Sequence, residues 1–449
     1  MDGEKFLFTL SRFGIKLGLG PTIALAESLG NPQDSFRSVH VAGSNGKGST
    51  TTLIYRILKR KFATGIYTSP HIRRFNERII VMDKEIPSAF IDEFVSNHTS
   101  KIEYNGEETQ LTFFEYTTNL AFDYFRKSNV QIAAVEVGLG GRLDSTNIVS
   151  PEVSVITSIS LEHADKLGGS IEYITREKGG IIKKGKPVVL GKMPDSANSI
   201  LRSIAKQNDA EVKDIVNLEV RNLSFSLSGT KFVVDTQMDT YEVELKALGE
   251  HQVSNSIAAI LACESINEKP SKSEITQGLK EDQIPARFEV RRSDPLLILD
   301  GAHNSEASRI LSSNIRRYSV KDPLIVLGVL RDKNSYNILQ NLSEVSDSIL
   351  ITEPDEPERK KDGEELKREA RLFFKEVYVQ KRPSEALEAA LKENRNTIIT
   401  GSLYLVGEME LLLDEKDKSK MVPVEMEEAG NATGPVKRKP DDNQFPMEI

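Results

Sequence analysis

Short β-branched, apolar runs alternate with helical stretches through about the first 285 residues, and this alternation restricts the fold more than any other feature. Between the runs, FFEYTTNLAFDYF (113–125) places apolar residues at helical spacing. Strands separated by helices predict a parallel, doubly wound α/β sheet. The runs are VHVA (39–42), ATGIYTS (63–69), QIAAVEV (131–137), VSVITSI (153–159) and PVVL (187–190).

The alternation changes between Leu223 and Leu245, where LSFSLSG, TKFVVDTQ and TYEVEL predict a small antiparallel meander. A second series of apolar runs with helices between them follows and predicts a second α/β unit. Its runs are LLILD (296–300), LIVLGVL (324–330), DSILIT (347–352), VYVQ (377–380) and NTIITG (396–401).

The length of 449 residues predicts more than one domain, since single cores stop growing near roughly 250–300 residues. The segment DQIPARFEV (282–290) is the candidate linker, because Pro285 restricts the residue before it. We therefore expect one domain over residues 1–284 and a second over 285–414. Residues 415–449 are charged and rich in Pro, Gly and Asn, which predicts a disordered tail.

The composition excludes several classes of function. A formal net charge of −8 argues against nucleic-acid binding and against attachment to an acidic membrane surface. The single cysteine, Cys263, allows no internal disulfide, and its apolar neighbours favour a buried, inert thiol. No run approaches the ~20 apolar residues of a membrane span, and the N-terminus lacks a secretory pattern. We expect a cytoplasmic protein.

The segment GSNGKGST follows the first apolar run directly. Its three glycines let the backbone turn tightly and present N–H groups to an anion, and the following helix adds its positive dipole end. Lys47 can reach outer phosphates, and Ser49 or Thr50 can bond a phosphate or magnesium. The pattern is not a strict Walker A loop, because Val41 and Gly48 stand where that motif requires Gly and Ser or Thr. We predict phosphate binding, with a glycine-rich strand–helix turn as the alternative.

A bound nucleotide triphosphate needs a cation, and Glu136 stands near the end of the apolar run QIAAVEV. A lone charge in such a place is costly unless it meets a metal or a partner. The alternative is a structural glutamate that is satisfied by Arg142 or by backbone amides.

Further polar residues follow apolar runs. His163 comes after VSVITSI, and Lys178 precedes a double glycine. Asp300, His303 and Asn304 follow LLIL at a helix start, and ligands of open α/β sheets bind at the carboxyl ends of strands. The alternatives are that His163 is structural, that Lys178 is a solvated charge at a helix end, and that residues 300–304 form a turn with Asp and Asn caps.

Several motifs occur together and in one order across residues 19–408. The sequence resembles the folylpolyglutamate synthase/dihydrofolate synthase family, within the Mur ligase superfamily. This resemblance implies an α/β fold with a P-loop-containing parallel-sheet ATPase domain that carries the meander, and a second, Rossmann-like domain. The motifs are HVAGSNGKGST, YTSPHIRRFNERI, TFFEYTTNLAFDYF, VEVGLGGRLDSTN, SLEHADKLGGSIEYITREKGGIIK, GEHQVSNSIAA, PARFEV, LDGAHN and TGSLYLVGE.

The resemblance implies an ATP-dependent amide ligase that adds L-glutamate to a folate or dihydropteroate carboxylate through an acyl phosphate. It does not separate folylpolyglutamate synthase from dihydrofolate synthase activity. One alternative is a Mur-type ligase for another pterin, cofactor or cell-wall precursor, and another is a nucleotide-gated switch that catalyses no ligation. The implied partners are small molecules only, and we expect a monomer.

The resemblance also implies roles for nucleotide and metal residues. Lys47, Glu136, His163 and Lys178 are the expected catalytic residues. Two Mg²⁺ ions are expected, one on Ser49, Ser69 and Glu136 and one on His163 and Lys178, with Lys178 carbamylated because magnesium prefers oxygen ligands. The expected ATP contacts are Gly43, Asn45, Gly46, Lys47, Gly48, Ser49, Thr50, Asn255, Arg287 and Asp300.

Substrate residues are implied in the same way. His71, Phe75 and Arg78, with Phe113 and Phe114, match the pterin-side pocket, where aromatic rings would stack on a flat heterocycle. Core packing is the alternative for the phenylalanines. His303, Ser402 and Tyr404 are expected near the incoming glutamate, with His303 near the adenine as the alternative. The departures from the family pattern are Ser44 for Thr, Glu162 for Asp and Ser305 for Pro.

Overall fold

The first half of the chain is built on an eight-stranded sheet in a computed structural model that describes residues 2–14, 16–161, 169–356 and 358–421. The strand order is β10-β9-β8-β1-β7-β2-β3-β4, and all neighbours are parallel except the antiparallel pairs β2–β3 and β3–β4. The strands are β1 Arg37–Ala42, β2 Thr64–Tyr67, β3 Ile79–Val81, β4 Lys84–Glu85, β7 Ile132–Glu136, β8 Val153–Ile156, β9 Val188–Leu190 and β10 Val212–Asp214.

Helices cover both faces of this sheet, as the apolar character of its central strands requires. One face packs against α3, α8 and α9, and the other packs against α1, α4 and α5. Thr112 caps α5 in a capping box with Glu115, and Ser271 caps α9 in the same way with Glu274. The helices are α1 Gly3–Thr9, α2 Gly20–Ser28, α3 Lys47–Leu58, α4 Ser88–Asn97, α5 Phe113–Lys127, α6 Ile171–Gly179, α7 Asp195–Gln207, α8 Glu250–Glu264 and α9 Lys272–Leu279. Short 3-10 helices span Leu10–Phe13, Pro32–Ser35, Phe75–Arg78, Ser145–Ile148 and Ile215–Asn217.

Two smaller antiparallel sheets accompany the large one. The predicted meander is confirmed as β11 Val220–Ser226, β12 Gly229–Asp235 and β13 Thr240–Leu245. A hairpin of β5 Lys101–Tyr104 and β6 Glu107–Gln110 lies between α4 and α5 and has no counterpart in the sequence prediction.

The second half forms a six-stranded sheet in the order β14-β15-β19-β16-β17-β18, which is parallel except for β14 against β15. Its strands are β14 Glu289–Ser293, β15 Leu296–Leu299, β16 Leu324–Leu327, β17 Ser348–Ile351, β18 Glu376–Val379 and β19 Thr397–Thr400. Its helices are α10 Ser305–Arg317, α11 Ser335–Ser343, α12 Gly363–Ala370, α13 Pro383–Lys392 and α14 Leu403–Met421.

The α/β class and the parallel sheets are confirmed, and the antiparallel edges make both sheets mixed. Helix α14 continues through the first residues of the predicted tail to Met421, and the tail itself stays a prediction. Asp414 pairs with Arg73 and Arg291, and Asp417 lies 3.7 Å from Arg292, so the last turns are tied to the body. Residues 422–449 lie outside the described residues. In the described part of the chain, no helix has both the length and the apolar character of a membrane span.

Candidate active site

The GSNGKGST segment leaves β1 at the carboxyl end of the strand and enters α3. Gly43 has a φ of 151°, and a Cβ there would lie 1.9 Å from the Oγ1 of Thr157. Gly46 is the N-cap of α3, with a φ of 85°. The Nζ of Lys47 turns back and donates to the carbonyl oxygens of Gly43 at 2.9 Å and of Ser44 at 3.1 Å. Since the first N–H groups of a helix have no intrahelical acceptor, the segment offers amides and a cation in one place.

The loop is braced from two sides. The amide of Asn45 donates to Ser158 Oγ at 2.9 Å, and the carbonyl oxygen of Asn45 accepts from Thr157 Oγ1 at 2.7 Å. On the other side, a Cβ on Gly46 would lie 2.6 Å from the Oδ1 of Asn255 in α8. Asn255, an expected nucleotide contact, therefore touches the loop itself.

Glu136 ends β7 beside this loop and is only 4% exposed. Its Oε2 accepts the amide of Ser69 at 3.0 Å, and a Cβ on Gly48 would lie 3.6 Å from both carboxylate oxygens. Burial raises the pKa of Glu136, whereas Lys47, the Ser69 amide and Arg287 act in the opposite direction. A buried carboxylate that no ion pair neutralises is stabilised when it binds a cation.

Lys178 reaches the same loop from α6. The residue is 2% exposed, and its Nζ donates to the carbonyl oxygen of Gly43 at 2.8 Å. His163, its expected partner in metal binding, lies outside the described residues. Arg142, the alternative partner of Glu136, pairs instead with Glu177 at 2.7 Å.

Arg287 lies on the segment that joins the two sheets, between two residues with left-handed backbone. Ala286 has a φ of 55° and Phe288 a φ of 49°, conformations that non-glycine residues rarely adopt. Asp300 holds this segment, because its Oδ2 accepts the amide of Phe288 at 2.8 Å and its Oδ1 accepts that of Ala302 at 2.9 Å. Burial raises the pKa of Asp300 to about 6, against the lowering effect of Arg287.

The LDGAHN segment after β15 and the start of α14 form the second sheet's part of the site. The Nδ1 of His303 lies 2.8 Å from the carbonyl oxygen of Gly301, so Nδ1 carries the proton in that contact. Ser402 is 1% exposed, and its Oγ accepts the amide of Tyr404 at 3.1 Å. The hydroxyl of Tyr404 accepts from Arg359 at 3.1 Å.

An aromatic group surrounds Arg78, whose guanidinium lies over the ring of Phe113 at 5.1 Å. Its Nε donates to the Nδ1 of His71 at 2.9 Å, and burial together with Arg78 lowers the pKa of His71 to about 4. Phe75 is completely buried and packs edge-on against Phe113, with ring centroids 6.0 Å apart. Phe8, on α1, stacks on the other side of Phe113 at 5.9 Å and is 43% exposed.

A cleft of about 800 Å³ runs between the two halves of the chain. Both halves also meet at one end of it, where the Nε of Arg73 donates to the Oε2 of Glu410 at 2.6 Å. Burial and the nearby Glu289 raise the pKa of Glu410 to about 7. The GSNGKGST segment, the buried carboxylate of Glu136 and Arg287 therefore face one space. The cleft is lined, among others, by Gly48, Ser49, Ser69, Glu136, His71, Arg287 and Leu403.

Two families match the two halves of the chain. The Mur ligase middle domain family matches residues 41–263, and the dihydrofolate synthetase C-terminal domain family matches residues 286–413. Folylpolyglutamate synthase from Lacticaseibacillus casei is 33% identical over 399 residues, which cover 86% of this chain and 92% of that protein. Dihydrofolate synthase/folylpolyglutamate synthase from Bacillus subtilis is 32% identical over 424 residues, which cover 91% of this chain and 97% of that protein.

The chain belongs to the folylpolyglutamate synthase/dihydrofolate synthase family. It is an ATP-dependent ligase of this family, as the resemblance predicts, and the nucleotide switch without ligation is not supported. Folylpolyglutamate synthase from Thermotoga maritima has a TM-score of 0.80 at 31% identity, covering 92% of this chain and 97% of that one. FolC from E. coli, solved with DHPP and ADP, has a TM-score of 0.81 at 27% identity, covering 93% and 99%.

Magnesium, which this ligase family implies, can be tested against the side chains present. Ser49, Ser69 and Glu136 line one cleft, all with oxygen donors, and the buried carboxylate of Glu136 lacks a salt-bridge partner within 4 Å among the described residues. These residues fit a hard divalent cation. In residues 2–14, 16–161, 169–356 and 358–421, no three His, Cys, Asp or Glu side chains are grouped as a metal site.

The structure shows residues of the candidate site that the sequence patterns did not identify. Phe8 extends the aromatic group, and Thr157 and Ser158 brace the phosphate loop. Arg73 and Glu410 connect the two halves. No local pattern marks any of them, because each acts through a contact between distant parts of the chain.

Proposed function

We propose that the cleft joins L-glutamate to a carboxylate of folate or dihydropteroate in two steps. The acceptor carboxylate attacks the γ-phosphorus of ATP, which releases ADP and leaves an acyl phosphate. The glutamate amine then attacks the acyl carbon, phosphate leaves, and the nitrogen loses a proton. One observation supports this scheme above others: the phosphate loop, Glu136 and Arg287 of the hinge face a single cleft.

In this proposal, residues 43–50 act as a P-loop-type phosphate site and residues 285–414 as a Rossmann-like domain. Loop amides and Lys47 bind the triphosphate, which positions it and neutralises its charge. Asn255 supports the loop from α8, and Arg287 contacts the nucleotide from the hinge. Asp300 uses both oxygens to hold the hinge, so its proposed effect on the nucleotide is exerted through Arg287.

Ser49, Ser69 and Glu136 would hold one Mg²⁺, and His163 with carbamylated Lys178 a second. Bound magnesium would neutralise phosphate charge as the γ-phosphoryl group is transferred. Burial raises the pKa of Glu136, and the protein's own contribution is that Lys47 and the Ser69 amide offset part of this effect.

The pterin side of the acceptor is proposed to lie against Phe113, with Phe114 and Phe8 nearby. Neutral His71 presents its second ring nitrogen, because its Nδ1 is engaged by Arg78. Phe75 supports Phe113 from the core and has no exposed surface for a ligand.

The incoming glutamate is proposed to bind near His303, Ser402 and Tyr404. The contact of His303 Nδ1 with the carbonyl oxygen of Gly301 orients the imidazole ring in this segment. One chain supplies both walls of the cleft, so a monomer that binds only small molecules suffices for this scheme.

A product assay tests the proposal. Protein, ATP and glutamate are incubated with dihydropteroate or with tetrahydrofolate, and products are identified by mass. We expect a product one glutamyl unit heavier than its acceptor, with one ADP formed per amide bond, and the acceptor that reacts identifies the activity. Lys47→Ala serves as the inactive control, expected to keep the fold and lose turnover by about 10²–10³-fold. Glutamate-independent ATP hydrolysis with no amide product from either acceptor would refute the proposal.

A further inference from the structure

Helix α10 of the second sheet contacts the first half of the chain at both ends. At its C-terminal end, Arg317 pairs with Glu250, and the hydroxyl of Tyr318 accepts the amide of Gly249 at 2.8 Å. Glu250 and Gly249 stand at the start of α8, the helix that supports the phosphate loop. The position of α10 is therefore defined relative to the phosphate loop.

The N-terminal end of α10 touches the loop directly. The Nδ2 of Asn45 donates to the Oε2 of Glu306 at 2.5 Å, and the Nδ2 of Asn304 donates to the Oδ1 of Asn45 at 3.2 Å. Asn304 also caps α10, because its Oδ1 accepts the amide of Ala307 at 2.8 Å. One loop side chain is thus held by two residues of the second sheet's first helix.

The backbone of Asn45 has separate support. Its amide and carbonyl groups are bonded by Ser158 and Thr157, which belong to the first half of the chain. Loss of the Glu306 contact therefore leaves the loop's conformation in place. It removes one of the two contacts between Asn45 and the start of α10, and His303 lies two residues before that start.

We propose that Glu306 is a positioning residue that holds the glutamate-binding side of the cleft against the phosphate loop through Asn45. The inference rests on the proposed function, and it assigns Glu306 to the second step, in which the amine must meet the acyl phosphate. The triphosphate and the acceptor are proposed to bind to the loop of residues 43–50 and to the aromatic group, and Arg287 is held by Asp300 without Glu306. Formation of the acyl phosphate therefore does not require this contact. The contact needs an acceptor atom at position 306 rather than a negative charge.

The test compares Glu306→Ala with Glu306→Gln, since glutamine keeps an oxygen that can accept from Asn45. Arg316→Ala is the matched control, because it removes an ion pair of the same helix, with Glu344 at 2.9 Å, that stays within the second half of the chain. Each variant is assayed for the burst of ADP formed without glutamate and for steady amide formation with glutamate. Melting temperatures establish that the variants are folded.

For Glu306→Ala we expect an unchanged ADP burst, an unchanged KM for ATP, and amide formation reduced by roughly tenfold or more. Glu306→Gln should recover most of the amide formation, and Arg316→Ala should match the wild type. Equal losses in both steps, equal losses in the alanine and glutamine variants, or wild-type behaviour of Glu306→Ala would each overturn the inference. A wild-type protein that forms no amide would count against the proposed function instead.

Discussion

Lys47 and Lys178 donate to the same acceptor, the carbonyl oxygen of Gly43, with Nζ–O distances of 2.9 and 2.8 Å. Two ammonium groups on one oxygen repel each other, and Lys178 is 2% exposed, so solvent screens the repulsion weakly. Carbamylation of Lys178 would turn one cation into an anion and convert this repulsion into attraction. The carbamate on Lys178 stays a proposal that rests on the family resemblance and on the preference of magnesium for oxygen ligands.

Lys178→Ala is expected to lower turnover by about 10²–10³-fold, because a charged group beside the transferred phosphoryl is lost. Acetate or formate should restore part of the activity by supplying a carboxylate in the space of the carbamate. Growth with ¹³C-labelled bicarbonate, followed by NMR of the wild-type protein, should show a carbamate signal that the variant lacks. A variant that is active without added carboxylate would remove the carbamate from the scheme.

Asp300→Asn is expected to misplace Arg287. Both oxygens of Asp300 accept backbone amides, and the asparagine NH₂ group would face one of these amides with no acceptor to offer. We expect a loss of about 1–3 kcal/mol in the free energy of unfolding and a higher KM for ATP. Urea unfolding and steady-state kinetics measure the two effects. An unchanged KM for ATP in a folded variant would show that Asp300 does not affect nucleotide binding.

Much of the fold follows from local sequence patterns. The runs VHVA and QIAAVEV form adjacent parallel strands because β-branched, apolar residues suit strands that are buried on both faces. The turn of the GSNGKGST segment is equally local, since Gly43 and Gly46 have positive φ values that other residues rarely adopt. These elements are predictable because a few consecutive residues determine them.

The contacts between distant segments are not predictable in this way. Arg73 and Glu410 are separated by 337 positions, and nothing near either residue identifies the other. Phe8 lies in the apolar run FLF, where neighbouring residues are buried to different extents. Asp414, the last residue before the predicted tail, is held by Arg73 and Arg291, which lie far from it in the sequence.

Glu410 is expected to make stability fall as the pH rises from about 5 to 8. Burial and Glu289 raise its pKa to about 7 in the folded protein, above the usual value of 4.5, while Arg73 acts in the opposite direction. In this window the folded state binds more protons at Glu410 than the unfolded state, so the group's contribution is complete at low pH and is lost as the pH rises. The contribution is at most about 3 kcal/mol.

Carboxyl groups whose pKa is lowered by folding make stability rise with pH, which is the opposite of the effect of Glu410. The effect of Glu410 is therefore measured as the difference in the free energy of unfolding between wild type and variant. Glu410→Gln removes this titration, and its free energy of unfolding should rise relative to the wild type as the pH increases from 5 to 8. Glu415→Gln, an exposed residue of the same helix, should follow the wild type. Parallel curves for wild type and Glu410→Gln would show that Glu410 is not protonated near neutral pH.

Phe8 is expected to contribute to acceptor binding and little to stability, because its ring is 43% exposed yet stacks on Phe113. A contact of the exposed Phe8 ring with the pterin would be worth about 1 kcal/mol beyond burial, so Phe8→Ala should raise the KM for the pterin-containing acceptor by roughly 5–10-fold. The KM values for ATP and glutamate should stay the same, since Phe8 belongs to the aromatic group around Arg78 and contacts no part of the phosphate loop in the described residues. Phe8→Tyr should keep the ring and the affinity. An equal rise in all three KM values would place the effect in folding rather than in the acceptor pocket.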